Sequence, residues 1–285
     1  DKGVEILFQS GAGVSAGYPD TDYADAGATL VDARERIFAE ADIILQVQSF
    51  GANNENSDSD LKLLRHGQLV IGMMDPLASP QAAQSVAATG ASAIALELVP
   101  RISRAQSMDV LSSMATLSGY KSVLMGASAS PRIFPMLMTA AGTLQPARVL
   151  IMGVGVAGLQ ACATAKRLGA VVEAYDVRPA AREQIISVGA KPVELDLDTG
   201  ESEGEGGYAK AQGDDFLRRQ REQMTAVVAE QDIIITTAAI PGAKSPILVT
   251  EDMVKAMKPG AVIVDLAAEL CCQINNHCTR LHCFN

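Results

Sequence analysis

The sequence predicts an α/β chain of two domains, each a parallel sheet wrapped by helices, with the second shaped to take a dinucleotide. Three observations carry that reading. Apolar, strand-like runs alternate with helical segments over most of the chain, the pattern of βα units around parallel sheets. A β-branched apolar run at Arg148–Met152 leads directly into Gly153-x-Gly155-x-x-Gly158 and an alanine-rich helix. Finally, 285 residues with 48% hydrophobic content and abundant Gly and Ala suffice for two cores with helices lying close on sheets.

In chain order, the first half offers strands at Val4–Phe8, Ile43–Val47, Gln68–Met73 and Ser92–Leu96. Helical candidates at Ala33–Glu40, Asp60–Leu64 and Pro80–Thr89 separate them. Met108–Ala129, rich in small and apolar residues, predicts a helix that carries the chain into the second half, with a ligand cleft beside it. The second half predicts strands near 148–153, 171–176, 192–196, 232–237 and 261–265. Helices are expected near 157–168, 180–188, 214–230 and 250–257.

The glycine motif owes its force to its context. The first glycine permits a tight turn, the second lets backbone approach a pyrophosphate, and the third lets helix pack on strand. The helix N-terminus then supplies N–H groups to the anion, the peptides from Gly155 through Val156 and Ala157 to Gly158. The next strand ends in Asp176, where a carboxylate can accept hydrogen bonds from an adenosine ribose. Val177 and Arg178 follow; a guanidinium there is suited to a 2′-phosphate, but Asp176 would repel that phosphate, so the pattern reads as NAD and not NADP. Both halves are therefore expected to be Rossmann-like.

Two loops add candidate groups. Pro100–Asp109 brings a cation, an amide and a carboxylate, Arg101, Gln106 and Asp109, into one short segment after a strand. Asp198–Asp215 is rich in glycine and acids with almost no apolar anchor, which predicts mobility, and Tyr208 in its middle is an aromatic suited to closing over a ligand.

The formal charge of −10 argues against a nucleic-acid partner, since phosphate neutralisation needs a basic face. No uninterrupted apolar stretch reaches the roughly 18–20 residues of a membrane span. Of five cysteines, Cys162 lies in the motif helix, where a small buried side chain fits. Cys271, Cys272, Cys278 and Cys283, with His277 and His282, crowd the last segment at spacings that match no usual zinc pattern, so no metal is expected. That segment departs abruptly from the Gly/Ala/Val-rich sequence before it and reads as an extension foreign to the fold.

EILFQSGAGVSAGYPDTDY, VPRISRAQSMDVLSSMATLSGY, MTAAGTLQPARVLIMGVGVAGLQACATAKRLGA, YDVRPAAREQ, GGYAK, TTAAIPG and VIVDLAAE together resemble the NAD(H)-binding domain I of proton-translocating NAD(P) transhydrogenase alpha subunits. These belong to the alanine dehydrogenase/transhydrogenase family. The resemblance runs from about Glu5 to Glu269, and PRISRAQSMD and GGYAK set it apart from alanine dehydrogenase. It implies two Rossmann-like domains, residues 1–118 and an NAD(H)-binding domain at 119–269, followed by an atypical tail at 270–285. It further implies a homodimer that holds NAD(H) and passes a hydride to NADP(H) on a separate domain III, coupled to proton passage through membrane domain II. The location implied is the cytoplasmic or mitochondrial-matrix face of the inner membrane, reached through partner subunits.

By the same resemblance, Arg101, Gln106 and Asp109 form the loop at the nicotinamide, with Gln106 orienting the ring. Gly153, Gly155, Gly158 and Asp176 hold the pyrophosphate and ribose, Tyr208 belongs to the mobile loop, and Thr237 and Ala238 lie in the segment lining the nicotinamide side. Hydride exchange between two nicotinamides needs close approach and exclusion of water, not a side chain that takes a proton. An alanine dehydrogenase, the alternative enzyme, requires Lys and His groups; this chain has Gln46 at the position resembling that Lys and Met74-Asp75 near the His. The chain also lacks the family's opening strand and, after Glu269, the expected Gly-Gly-Asn and return segment to the first domain. A truncated, non-catalytic NAD-binding fragment is the third reading.

Overall fold

The computed structural model describes residues 3–53, 55–197, 213–238, 245–268 and 281–283. Contacts divide the chain into two compact units, 1–110 and 111–285, parting at the start of a long helix.

The first unit runs β1 (Leu7–Gln9), α1 (Asp20–Asp25), β2 (Thr29–Val31), α2 (Arg34–Glu40), β3 (Ile43–Gln48), α3 (Ser57–Leu63), β4 (Leu69–Met73), α4 (Pro80–Ala88) and β5 (Ser92–Ala95). Its strands form not one sheet but two, a parallel pair β1–β2 and a parallel sheet in the order β3–β4–β5. The sequence reading missed α1 and β2 because both are too short to show a period. Ile44 and Val70 on one face of the larger sheet pack with Phe38 of α2, Phe50, Met74 and Val86 of α4, and Leu61 and Leu63 of α3 join them.

The second unit begins with α5 (Val110–Ala129), a hairpin of β6 (Leu137–Thr139) and β7 (Gly142–Leu144), then β8 (Arg148–Met152) and α6 (Val156–Arg167). It continues through β9 (Val171–Tyr175), α7 (Ala181–Ser187), β10 (Lys191–Pro192), α8 (Asp214–Ala229), β11 (Ile233–Thr236), α9 (Glu251–Ala256), β12 (Val262–Asp265) and β13 (Leu281–Cys283). The sheet order is β10–β9–β8–β11–β12–β13, parallel except for β13. This is the doubly wound Rossmann arrangement, with its reversal of strand order between β8 and β11.

Side chains on these strands sort by parity, as a period of two requires. Val149, Ile151, Ile233, Ile235, Val262 and Val264 pack with Val123 of α5 and Ala161, Cys162 and Ala165 of α6. Leu150, Met152, Ile234 and Ile263 face the other way, onto Met224 and Val228 of α8 and Met253 of α9. The Thr250 hydroxyl caps the start of α9 by accepting from the Met253 N–H.

Two expectations are corrected, and one segment adds to the sheet. The strand expected at 192–196 is only Lys191–Pro192, since beyond it the chain follows α8, with the Asp196 N–H donating to Gln223. The segment before α5 is not a plain loop: Ser103–Met108 winds as a 3₁₀ helix, and the α-helix starts at Val110 instead of Met108. The tail that reads as foreign contributes β13, paired antiparallel to β12 from Val262↔Cys283 to Val264↔Leu281. An open parallel edge offers backbone groups that any extended segment can pair with.

Candidate functional site

The glycine turn sits where β8 ends, at the reversal of strand order, the position at which open α/β sheets take ligands. Gly153 has φ +92°, a conformation that favours glycine, and an added Cβ would come within 2.9 Å of the Ala238 backbone N. At Gly158 a Cβ would lie 2.0 Å from the Gly153 carbonyl oxygen, so only hydrogen lets α6 start this close to the strand. Gly155 differs: among the described residues nothing lies within 4 Å of its Cβ position, and the residue is exposed. Among the described residues α6 has no side-chain cap and no acid in its first turn. Its leading N–H groups at Val156, Ala157 and Gly158, beside Gly155, form an uncapped positive helix end fit for a pyrophosphate.

Sequence reasoning missed Gly119. On α5 it faces Ala157, where a Cβ would fall 2.1 Å from the carbonyl oxygen, so α5 braces the start of α6. With Gly126, seven positions on and set against Ile233, it marks a small-residue face whose spacing was the available signal.

Asp176 directly follows β9, and its side chain is only 6% exposed. Both its oxygens are engaged by this chain. Oδ1 accepts from the Arg178 N–H and Nε at 2.8 and 2.9 Å, and Oδ2 accepts from the Val154 N–H and Arg178 Nη2 at 2.7 and 2.9 Å. Arg178 Nη2 also donates to the Val154 carbonyl at 3.0 Å. Sequence reading treats Asp176 and Arg178 as opposed influences on a ligand, whereas the fold makes them partners. Val177 lies between them and packs against the α8–α9 side of the sheet.

From the other side, the Thr237 hydroxyl donates to the Gly153 carbonyl at 2.8 Å while its N–H donates to the Met152 carbonyl. Ala238 follows directly. Beyond them, Thr236 donates to Asp265 at 2.7 Å, and a small hollow bordered by Thr236, Ala238, Ser245, Leu248, Asp265 and Ala267 opens at the ends of β11 and β12. Beneath the site, burial pushes the Tyr175 phenol up to about 12, a shift that nearby Gln220 opposes.

In the first unit, Arg101 Nε stands 3.5 Å from Asp109 Oδ2 at the two ends of the Ser103–Met108 turn, and Gln106 is exposed on that turn. Gln46, at the position resembling a catalytic Lys, donates to Asp60 at 2.9 Å, and Asp60 is buried in a paired contact with Arg34. The Asp60 carboxylate is thus satisfied within the unit. Met74 and Asp75 follow β4, where Asp75 holds φ +47° and Glu97 accepts both their N–H groups. Tyr208 lies outside the described residues.

Comparison with known proteins agrees with this architecture. The alanine dehydrogenase/PNT N-terminal domain matches residues 1–118 and the C-terminal domain of the same family matches 122–282. An NAD(P) transhydrogenase subunit alpha polypeptide of Rhodospirillum rubrum is 46% identical over 268 residues, which cover 94% of this chain and 70% of that protein. The solved structure of transhydrogenase from Sinorhizobium meliloti superposes with a TM-score of 0.79 at 43% identity, over 94% of this chain and 70% of that one. The alanine dehydrogenase of Mycolicibacterium smegmatis stands further off, at 28% identity over 94% of this chain and 65% of its own. Glycine turn, doubly wound sheet and sequence likeness converge, and the chain belongs to the alanine dehydrogenase/PNT family, on the side of the NAD(P) transhydrogenase alpha subunits.

Proposed function

We propose that the chain holds NAD(H) on its second unit and presents it for hydride exchange with NADP(H) carried by a partner. The observation that carries this reading is the uncapped start of α6 behind a glycine turn, with Asp176 at the end of the neighbouring strand. Bound there, the dinucleotide would supply the hydride donor or acceptor; everything else falls to the chain. The N–H groups of Gly155, Val156, Ala157 and Gly158 hold the pyrophosphate, and Asp176 and Arg178 border the adenosine ribose. Arg101, Gln106 and Asp109 act on the nicotinamide half: Arg101 is held by Asp109, and Gln106 both donates to and accepts from the carboxamide. Thr237 and Ala238 border the turn, and Tyr208 closes over the ligand and excludes water.

In this reading the chain works as a homodimer beside an NADP(H)-binding domain III and a membrane domain II, at the cytoplasmic or matrix face of the inner membrane. The subunit names of its relatives support such a complex. No helix among the described residues is long and apolar enough to cross a membrane. The division into domains near 118/119 is supported by family matches that stop at 118 and resume at 122.

Titration of the chain with NADH and NADPH by fluorescence or calorimetry tests the assignment. NADH is expected to bind at least about tenfold more tightly, because Arg178 is committed to the Asp176 carboxylate and the Val154 carbonyl instead of being presented to a 2′-phosphate. Equal affinities would remove Asp176 from the specificity argument. Hydride transfer from NADPH to an NAD analogue is expected only when a domain III is added; robust transfer by the chain alone would overturn the proposed division of labour.

A further inference from the structure

We propose that Thr237 is a positioning residue for the pyrophosphate turn, acting through the Gly153 carbonyl and not by touching the nicotinamide. This role goes beyond the cofactor assignment and rests on it only for the ligand used in the test.

In a trans peptide the C=O and the following N–H point in opposite directions. The carbonyl of the Gly153–Val154 peptide accepts from the Thr237 hydroxyl at 2.8 Å, and its N–H, on the far side, donates to Asp176 Oδ2 at 2.7 Å. One plane is thus held from both edges, by residues at the ends of β11 and β9, the strands flanking β8. The next plane is held too: the Val154 carbonyl accepts from Arg178 Nη2 at 3.0 Å, which turns the Gly155 N–H the other way. These two planes lead directly into the uncapped N-terminus of α6. The orientation of the anion-binding N–H groups is therefore inherited from Thr237, Asp176 and Arg178.

Thr237 is well placed for this task. Its own N–H is fixed to the Met152 carbonyl, so the hydroxyl is delivered from an anchored backbone. Gly153 is the weak link in the turn, because glycine at φ +92° resists reorientation of the following peptide less than any other residue. The Thr237 hydroxyl is the side-chain group that pins its carbonyl. Loss of the hydroxyl would let the plane rotate toward a state with an oxygen facing the Asp176 carboxylate.

Thr237→Val keeps the side-chain shape and removes the hydroxyl; Thr237→Ser restores the hydroxyl without the methyl. In the full chain without ligand, amide hydrogen exchange over residues 150–160 should speed up in Thr237→Val and return toward wild type in Thr237→Ser. Unchanged exchange in Thr237→Val overturns the proposal whatever the ligand does. Binding is then compared for NADH and for ADP-ribose, which has the pyrophosphate but no nicotinamide. A positioning role weakens both by the same factor, about three- to tenfold for one hydrogen bond, and Thr237→Ser recovers most of it. A loss confined to NADH would make Thr237 a nicotinamide contact and defeat the inference. If wild type binds neither ligand, the cofactor assignment fails, and the exchange result still decides the role of Thr237 in the turn.

Discussion

In the second unit, β8, β9, β11 and β12 bury almost every side chain on both faces, whereas β3 in the first unit buries Ile44 and leaves Ile43, Leu45 and Val47 at 55, 74 and 78% exposure. Both strand sets are apolar in sequence. The difference lies in the helices: α5, α6 and α7 cover one face of the second sheet and α8 and α9 the other, while α2, α3 and α4 gather on a single face of β3–β4–β5. The candidate groups divide the same way. Around the glycine turn, Asp176, Arg178 and Thr237 are tied to backbone by bonds of 2.7–3.0 Å, but Arg101 and Asp109 meet at 3.5 Å on a largely exposed turn. The contrast teaches that helices on both faces of a sheet, and not the apolar composition of its strands, set how deeply those strands are buried.

The strongest attempt to break this comparison is a pair of truncations. Ile235→Ala, in a fully buried strand, is expected to cost about 2–5 kcal/mol in urea denaturation, through lost transfer energy plus a cavity. Leu45→Ala should stay within about 0.5 kcal/mol. A comparable loss at Leu45 would mean that its face is covered in solution.

A smaller effect sharpens the functional side. Gln106→Asn should leave NADH affinity within a few-fold, yet slow hydride transfer by at least about tenfold, roughly 1.4 kcal/mol of barrier, because the ring is held less well over the acceptor. Arg101→Ala should also weaken binding, since its charge acts on the bound ground state. Stopped-flow transfer with domain III present reads both, and an unchanged rate in Gln106→Asn would return the segment to an ordinary turn.

The smallest expected effect concerns Cys162, whose thiol burial in α6 pushes up to about 12. Because the folded value is raised, the stabilisation is complete below the ordinary thiol value and is lost as pH climbs from there toward 12. At pH 8, alkylation of the Cys162 peptide, followed by mass spectrometry, should be slow and limited by opening of the fold. Fast labelling under native conditions would show the second core to be looser than the first-unit contrast requires.

Helices were legible because their periods repeat, and the buried strands because each is an unbroken, β-branched apolar run. Strands β8, β9, β11 and β12 and helices α6 and α8 fall within a residue or two of expectation, and the glycine spacing located the turn. Short elements such as α1, β2 and the β6–β7 hairpin were not, since three to six residues hold no period to read. At the site, residue types were legible but partners were not. Nothing local indicates that Asp176 and Arg178, two residues apart, would bond to each other and to Val154.

By itself, then, the sequence determined the βα alternation, the place of the glycine turn, the acid at the end of β9 and the family, because each depends on residues close along the chain. The tertiary structure decided that, among the described residues, the first half forms two sheets and covers one face of the larger, and that Thr237 reaches the Gly153 carbonyl across 84 positions of chain. The physical reason is that burial and hydrogen-bond partnership are set by which strands become neighbours, and that choice follows from packing over the whole unit.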